Sequence, residues 1–217
     1  MARDGPMATP TDLLTLTQWL SPAYPVGAFA YSHGLESAIR EGRVGDGAAL
    51  EDWLAAVLEH GTGRTDAILI ALAHASEDLP RLDAIARAYA GSRERLIETV
   101  DQGTAFGKVT GASWGGTLPG CYPVALGAAA GREGLPLALT QALYLQSVLS
   151  NLTAAAQRLM PLGQTGAQGI LRRLTPRIPP LLARIEGAGE DDLSSSAFLP
   201  DIAAMRHETL QPRIFRT

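Results

Sequence analysis

Apolar residues at helical spacing run through nearly the whole chain, and this pattern leaves little room for a sheet. Leu50, Trp53, Leu54, Val57 and Leu58 fall at i, i+3, i+4, i+7 and i+8, one stripe of an amphipathic helix with Gly61 as its stop. Leu82, Ile85, Ala86 and Tyr89 repeat the pattern after Pro80, and Leu145, Val148, Leu149, Leu152 and Leu159 carry it along a long central segment. Residues Leu13 to Leu20 make a first helix that Thr11 or Asp12 can cap. Asp66 to Ser76, Arg93 to Ala112 and Gly163 to Leu174 add further helical runs. No stretch alternates apolar with polar residues, and Asp4-Gly5 and Asp46-Gly47 lack the flanking alternation of a hairpin.

The breaks are equally legible. Ser21 to Gly27 is a Pro-rich turn, Gly115 to Pro123 a Gly/Pro loop, and Gly187 to Ser196 a polar connector. Pro176, Pro179 and Pro180 interrupt the late helices, because proline lacks the backbone donor. The expectation is an all-α protein: one helical domain of about eight to ten helices over residues 11–208. A disordered segment over residues 1–10 precedes it, and a partner-binding tail over residues 209–217 follows.

Composition narrows the function classes. With 46% apolar and 18% charged residues, the 217-residue chain has enough apolar area for a sizeable core. Net charge is −4 and Lys108 is the only lysine, which argues against a nucleic-acid binder. One cysteine, Cys121, excludes an internal disulfide framework and points to a reducing compartment, here the cytoplasm. The polar start has no apolar core of a signal peptide. Leu135 to Leu162 is interrupted by Gln141, Gln146, Asn151, Gln157 and Arg158, so it reads as a buried helix rather than a membrane span.

Residues with chemistry are few. No phosphate-loop pattern surrounds Lys108, and no Gly-x-Ser-x-Gly elbow occurs. The chain is therefore expected neither to bind nor to hydrolyse GTP by itself. Cys121 reads as a small buried hydrophobe. His33 and Glu36, at i and i+3, can share a helix face and offer two weak metal ligands; the plainer reading is a histidine bonded locally at a helix start. A small metal-binding chaperone or a helical enzyme built on His33 and Glu36, with Cys121, is thus the alternative. A helix-turn-helix regulator would rest on Arg172, Arg173 and Arg177 alone. Arg206-His207-Glu208 is either a solvated helix face or a contact site.

The most informative stretch is Ser21-Pro-Ala-Tyr-Pro-Val-Gly-Ala-Phe-Ala-Tyr-Ser-His-Gly-Leu-Glu36. Physically it is a helix end, a double-proline turn in which Gly27 permits a positive φ, and a second helix starting near Phe29 or Ala30. It resembles the Ser-Pro-x-x-Pro-x-Gly-x-Phe/Tyr-x-x-Ser-x-Gly-Leu-Glu signature of the urease accessory protein F family. Asp101-Gln102-Gly103, Tyr122 to Ala125, the Leu145–Leu162 helix followed by Pro161 to Gln164, Asp201-Ile202 with Met205 to Glu208, and Arg213 to Thr217 follow that family in order and spacing. The likeness runs from about Leu14 to Thr217.

The resemblance implies an all-helical, non-enzymatic protein without a cofactor, a two-fold dimer that bridges a scaffold accessory protein to a nickel-delivering GTPase on apo-urease. Leu171, Leu174 and Leu181 are candidate dimer contacts, although a core would claim them equally. For partner contact the candidates are Tyr24, Pro25, Phe29, Tyr31, His33 and Glu36 in the turn, Arg206, His207 and Glu208, and Arg213, Ile214, Phe215 and Arg216 in the tail. The tail sets two apolar anchors between guanidiniums, residue types enriched at interface hot spots. It is expected to serve the scaffold rather than the core, so that its removal leaves melting nearly intact.

Overall fold

The computed structural model describes residues 8–217. The described residues form eleven α-helices and no strand. These are α1 (Pro10–Trp19), α2 (Leu35–Arg40), α3 (Gly47–His60), α4 (Thr62–Ala75), α5 (Leu79–Ala88) and α6 (Arg93–Trp114), followed by α7 (Tyr122–Arg132), α8 (Leu137–Leu159), α9 (Gln164–Leu174), α10 (Ile178–Arg184) and α11 (Phe198–His207). Nine of them have ten residues or more, while α2 and α10 are short. Three 3₁₀ turns, Ala28–Ala30, Thr175–Arg177 and Glu190–Asp192, punctuate the connections. The expectation of one all-helical domain holds. No helix among the described residues is long and apolar enough to cross a membrane.

The first helix starts earlier than its sequence suggests. Thr9, not Thr11 or Asp12, is the cap: its hydroxyl accepts the Asp12 amide while the Asp12 carboxylate accepts the Thr9 amide, a reciprocal capping box with Pro10 inside the first turn. Of the expected disordered segment, residues 1–7 lie outside the described residues, and Thr9 and Pro10 belong to the helix start.

Packing follows the apolar stripes. Leu50, Trp53, Leu54, Val57 and Leu58 are all buried, as are Leu145, Leu149 and Leu152, with Val148 and Leu159 at the margin. Helices α4 and α7 pack in close contact, because Gly127 and Gly131 of α7 meet the backbone of Ile70 and His74, where a Cβ would collide. Gly103 of α6 does the same against the Gly120–Tyr122 backbone at the start of α7. That start has no cap from its own chain end. Asp83 of α5 supplies one, accepting the Cys121 amide at 2.7 Å. A file of rings, Trp114–Trp19–Phe106–Tyr122–Tyr144, runs through the centre with successive centroids 5.4–5.7 Å apart.

Leu171, Leu174 and Leu181, offered as dimer contacts, point into this core. Tyr89, expected on the buried stripe of α5, is 44% exposed, and Leu82 and Ala86 carry that helix inward.

Candidate tail-and-turn docking face

The signature turn is built by its prolines and glycines. Tyr24 plugs it into the body, its hydroxyl 2.8 Å from that of Thr110. Gly27 has φ +72°, and the 3₁₀ turn Ala28–Ala30 follows. The second helix does not start near Phe29 or Ala30; it starts at Leu35. His33 and Gly34 are both left-handed, at φ +53° and +74°, and break any helix before them. Gly34 also abuts the Ala203–Ala204 backbone of α11, leaving no space for a side chain.

That helix start aims Glu36 inward, where its carboxylate receives the returning tail. The amide of Ile214 donates at 2.9 Å and that of Phe215 at 2.8 Å; Arg40 lies 3.1 Å away and His207 Nε2 3.3 Å. Burial pushes the Glu36 carboxyl up, but the two tail amides and His207 outweigh it and hold the group below the usual carboxylate range. His207, fully buried, spans two acids: its Nδ1 is 2.7 Å from Glu94, which also pairs with Arg213. The amide of Arg216 donates to Ala30 and that of Ser32 to the Thr217 carbonyl, both at 2.9 Å.

One helix turn further along α6, Glu98 accepts from Gln102 at 2.9 Å and Thr217 at 3.0 Å, pairs with Arg95, and lies 2.7 Å from His33 Nε2. Burial raises the Glu98 carboxyl, and the charges of Arg95 and His33 then pull it down to about 2. Phe215 is covered by the guanidinium of Arg158, 4.4 Å above its ring, and Arg158 also donates to the Phe29 carbonyl at 2.9 Å. Arg216 lies over Tyr31 and reaches Asp101 at 3.1 Å.

The candidate residues therefore divide into two kinds. Tyr24, Tyr31, Glu36, His207 and Phe215 are buried and His33 nearly so; in this conformation they shape the surface from beneath. Pro25, Phe29, Arg213, Ile214 and Arg216 form it, with Phe29 72% and Ile214 57% exposed. Arg206 and Glu208 are exposed at the end of α11, where Arg206 pairs with Glu41 at 2.9 Å. The expectation that the tail is independent of the core is corrected: Phe215 packs into this chain's own body.

His33 and Glu36 do not share a face. His33 precedes the helix and turns to Glu98, whereas Glu36 holds the tail. Cys121 sits elsewhere against Asp83, its thiol pushed up to about 12 by burial and by that carboxylate. These groups do not assemble into a nucleophile and its base. Among the described residues, no group of three or more His, Cys, Asp and Glu side chains is placed to hold a metal ion. The residues that sequence reasoning missed are Glu94, Arg95 and Glu98. Their visible signal is an acidic stripe, Glu94, Glu98 and Asp101, at i, i+4 and i+7 of one helix.

Comparison with known proteins adds a family. Residues 44–175 match the model of the family described as UreF. A urease accessory protein UreF of Roseobacter denitrificans is 53% identical over 207 residues, covering 94% of this chain and 93% of the relative. The urease accessory protein UreF of Ruegeria pomeroyi is 49% identical over 217 residues, covering 97% of this chain and all of the relative, and that of Jannaschia sp. is 50% identical with 94% of each covered.

Proposed function

This chain belongs to the UreF family of urease accessory proteins, and from that premise we propose that it is a urease maturation factor acting as a non-enzymatic adaptor in the cytoplasm. In this reading it bridges a scaffold accessory protein to a nickel-delivering GTPase, works as a homodimer, and gates the passage of nickel, the cargo, into apo-urease. The observation that carries it is the tie between Glu36 and the tail. That tie turns the family-like turn and the family-like tail, far apart in sequence, into a single surface of exposed apolar groups among guanidiniums. Such a surface has the composition of an interface centre. Tyr31, Glu36, His207 and Phe215 serve it by holding its shape, and Phe29, Arg213, Ile214 and Arg216 serve it by contact.

The test is a tagged chain purified from urease-producing cells. The scaffold protein, the GTPase and urease subunits are expected to come with it. Recovery of the GTPase without the scaffold would assign the face to a different partner. Recovery of none of the three would remove the adaptor role.

A further inference from the structure

At the centre of the tail anchor, both ring nitrogens of the fully buried His207 face carboxylate oxygens. Nδ1 lies 2.7 Å from Glu94 Oε2 and Nε2 lies 3.3 Å from Glu36 Oε2, and these two acids are the hydrogen-bond partners of the ring among the described residues. A neutral imidazole has one N–H and one lone pair, so it donates to one of the acids and turns its lone pair on the other. An imidazolium donates to both.

The charges around the ring alternate in sign. Helix α2 brings Glu36 and, 3.1 Å beyond it, Arg40; α6 brings Glu94; the tail brings Arg213, on the other oxygen of Glu94. A protonated His207 completes the series Arg40, Glu36, His207, Glu94, Arg213. Its neighbours on α11 are exposed and turn elsewhere, Arg206 to Glu41 and Glu208 to the Arg93 amide. Arg95, Glu98 and His33 form a separate group one turn along α6. The ring and the tail also meet on one atom: Glu36 Oε2, which faces Nε2, accepts the Phe215 amide at 2.8 Å.

We propose that the tail anchor is a proton-operated latch, in which His207 takes up a second ring proton as the tail closes and loses it as residues 213–217 loosen from the body. Arg213 fixes Glu94, and the tail amides fix Glu36, only when the tail is in place. The closed tail therefore favours the charged ring, and by linkage the charged ring favours the closed tail. This stabilisation is present in full on the acid side of an unfolded histidine, about 6.5, and is lost as pH rises. The Glu36 carboxylate acts in the opposite sense, so the tail is held most firmly between the two. The bearing on partners rests on the adaptor reading: a loosened tail withdraws Arg213, Ile214 and Arg216 from the docking face.

The test uses the full chain without partners, by proton–nitrogen spectroscopy of the rings and amide exchange of the tail. The chain has four histidines, and His207→Gln identifies the ring that matters. At about pH 6 both nitrogens of His207 should carry protons. Towards about pH 9 one proton should leave, and protection of the Ile214 and Phe215 amides, each against free peptide at the same pH, should fall roughly tenfold while that of Leu54 in the core holds. His207→Gln should abolish this pH dependence and His33→Gln should keep it. If His207→Gln does not fold, Glu94→Gln should move the loss to lower pH. A neutral ring at about pH 6, a ring still doubly protonated at about pH 9, or tail protection indifferent to the ring proton overturns the proposal. So does a pH dependence that survives His207→Gln or stays in place in Glu94→Gln. With no partner present, failure of the adaptor role leaves these results standing, and failure here leaves the pull-down unchanged.

Discussion

The carboxylate of Glu36 and the amide of Phe215, 179 positions apart in sequence, meet at 2.8 Å inside the protein. A second amide, that of Ile214, shares the same carboxylate. One side chain at a helix start thereby helps decide where the last residues lie, and with them which groups of the tail are exposed.

Glu36→Gln tests this tie. A neutral amide keeps one acceptor oxygen and adds a donor where two amides also donate. Hydrogen bonds to a charged group contribute about 1.5–3 kcal/mol each, so a loss of about 2–4 kcal/mol is expected. In a chain of this size that corresponds to a fall in Tm of roughly 5–12 °C. Amide exchange at Ile214 and Phe215 should rise to that of free peptide. Retained protection at both positions would show that the tail is held by other contacts.

Removing residues 209–217 tests the same anchoring from the other side. Burying Phe215 contributes roughly 1.5–3 kcal/mol, and truncation also strips Glu36 of two donors and Glu98 of one. The truncated chain should remain helical by circular dichroism and melt at least 5 °C lower, on about 2–4 °C per kcal/mol. An unchanged melting temperature would mean that the tail is an appendage after all.

Two glycines of the signature separate backbone strain from crowding. Gly27 has a positive φ and open space around it, so Gly27→Ala carries only the left-handed penalty of about 1–2 kcal/mol. Gly34 combines a positive φ with the backbone of α11 against it, so Gly34→Ala must also displace α11, and with it His207. Thermal melts should show a loss at Gly34 at least twice that at Gly27. Equal losses would remove the packing argument.

Acid should weaken the α6 anchor. The Glu98 carboxyl is held at about 2, against an unfolded value of about 4.3, so the stability it contributes is complete above the unfolded value and lost as pH falls from there towards 2. Glu36, also lowered, acts in the same direction. The gap in Tm between wild type and Glu98→Gln, wide at pH 7, should therefore close below about pH 4. Parallel melting curves down to pH 2.5 would show that Glu98 is not ionised by its neighbours.

How much of this was legible follows from the range of each interaction. The stripe Leu50 to Leu58 and the Pro-rich break after Trp19 are local, and the chain shows them directly. The start of α2 was misread because helix propensity carries no sign of a left-handed His33. The apolar Leu171, Leu174 and Leu181 suit a core and an interface equally, and only three-dimensional packing assigns them. His207 lies 171 positions from Glu36 and 113 from Glu94, so nothing local marks it as the link between two acids. Its burial turned a charge cluster that reads as surface into an internal brace.

The most direct test of the proposed docking face is the affinity of the purified chain for the scaffold accessory protein proposed as its partner, by calorimetry, in wild type and in Phe29→Asp with Ile214→Asp. Both side chains are exposed, so the double variant should fold and melt as the wild type does. The expected result is a loss of affinity of at least tenfold, about 1.4 kcal/mol, with Tm unchanged. Wild-type affinity in the double variant would contradict the account and move the interface off the tail-and-turn face.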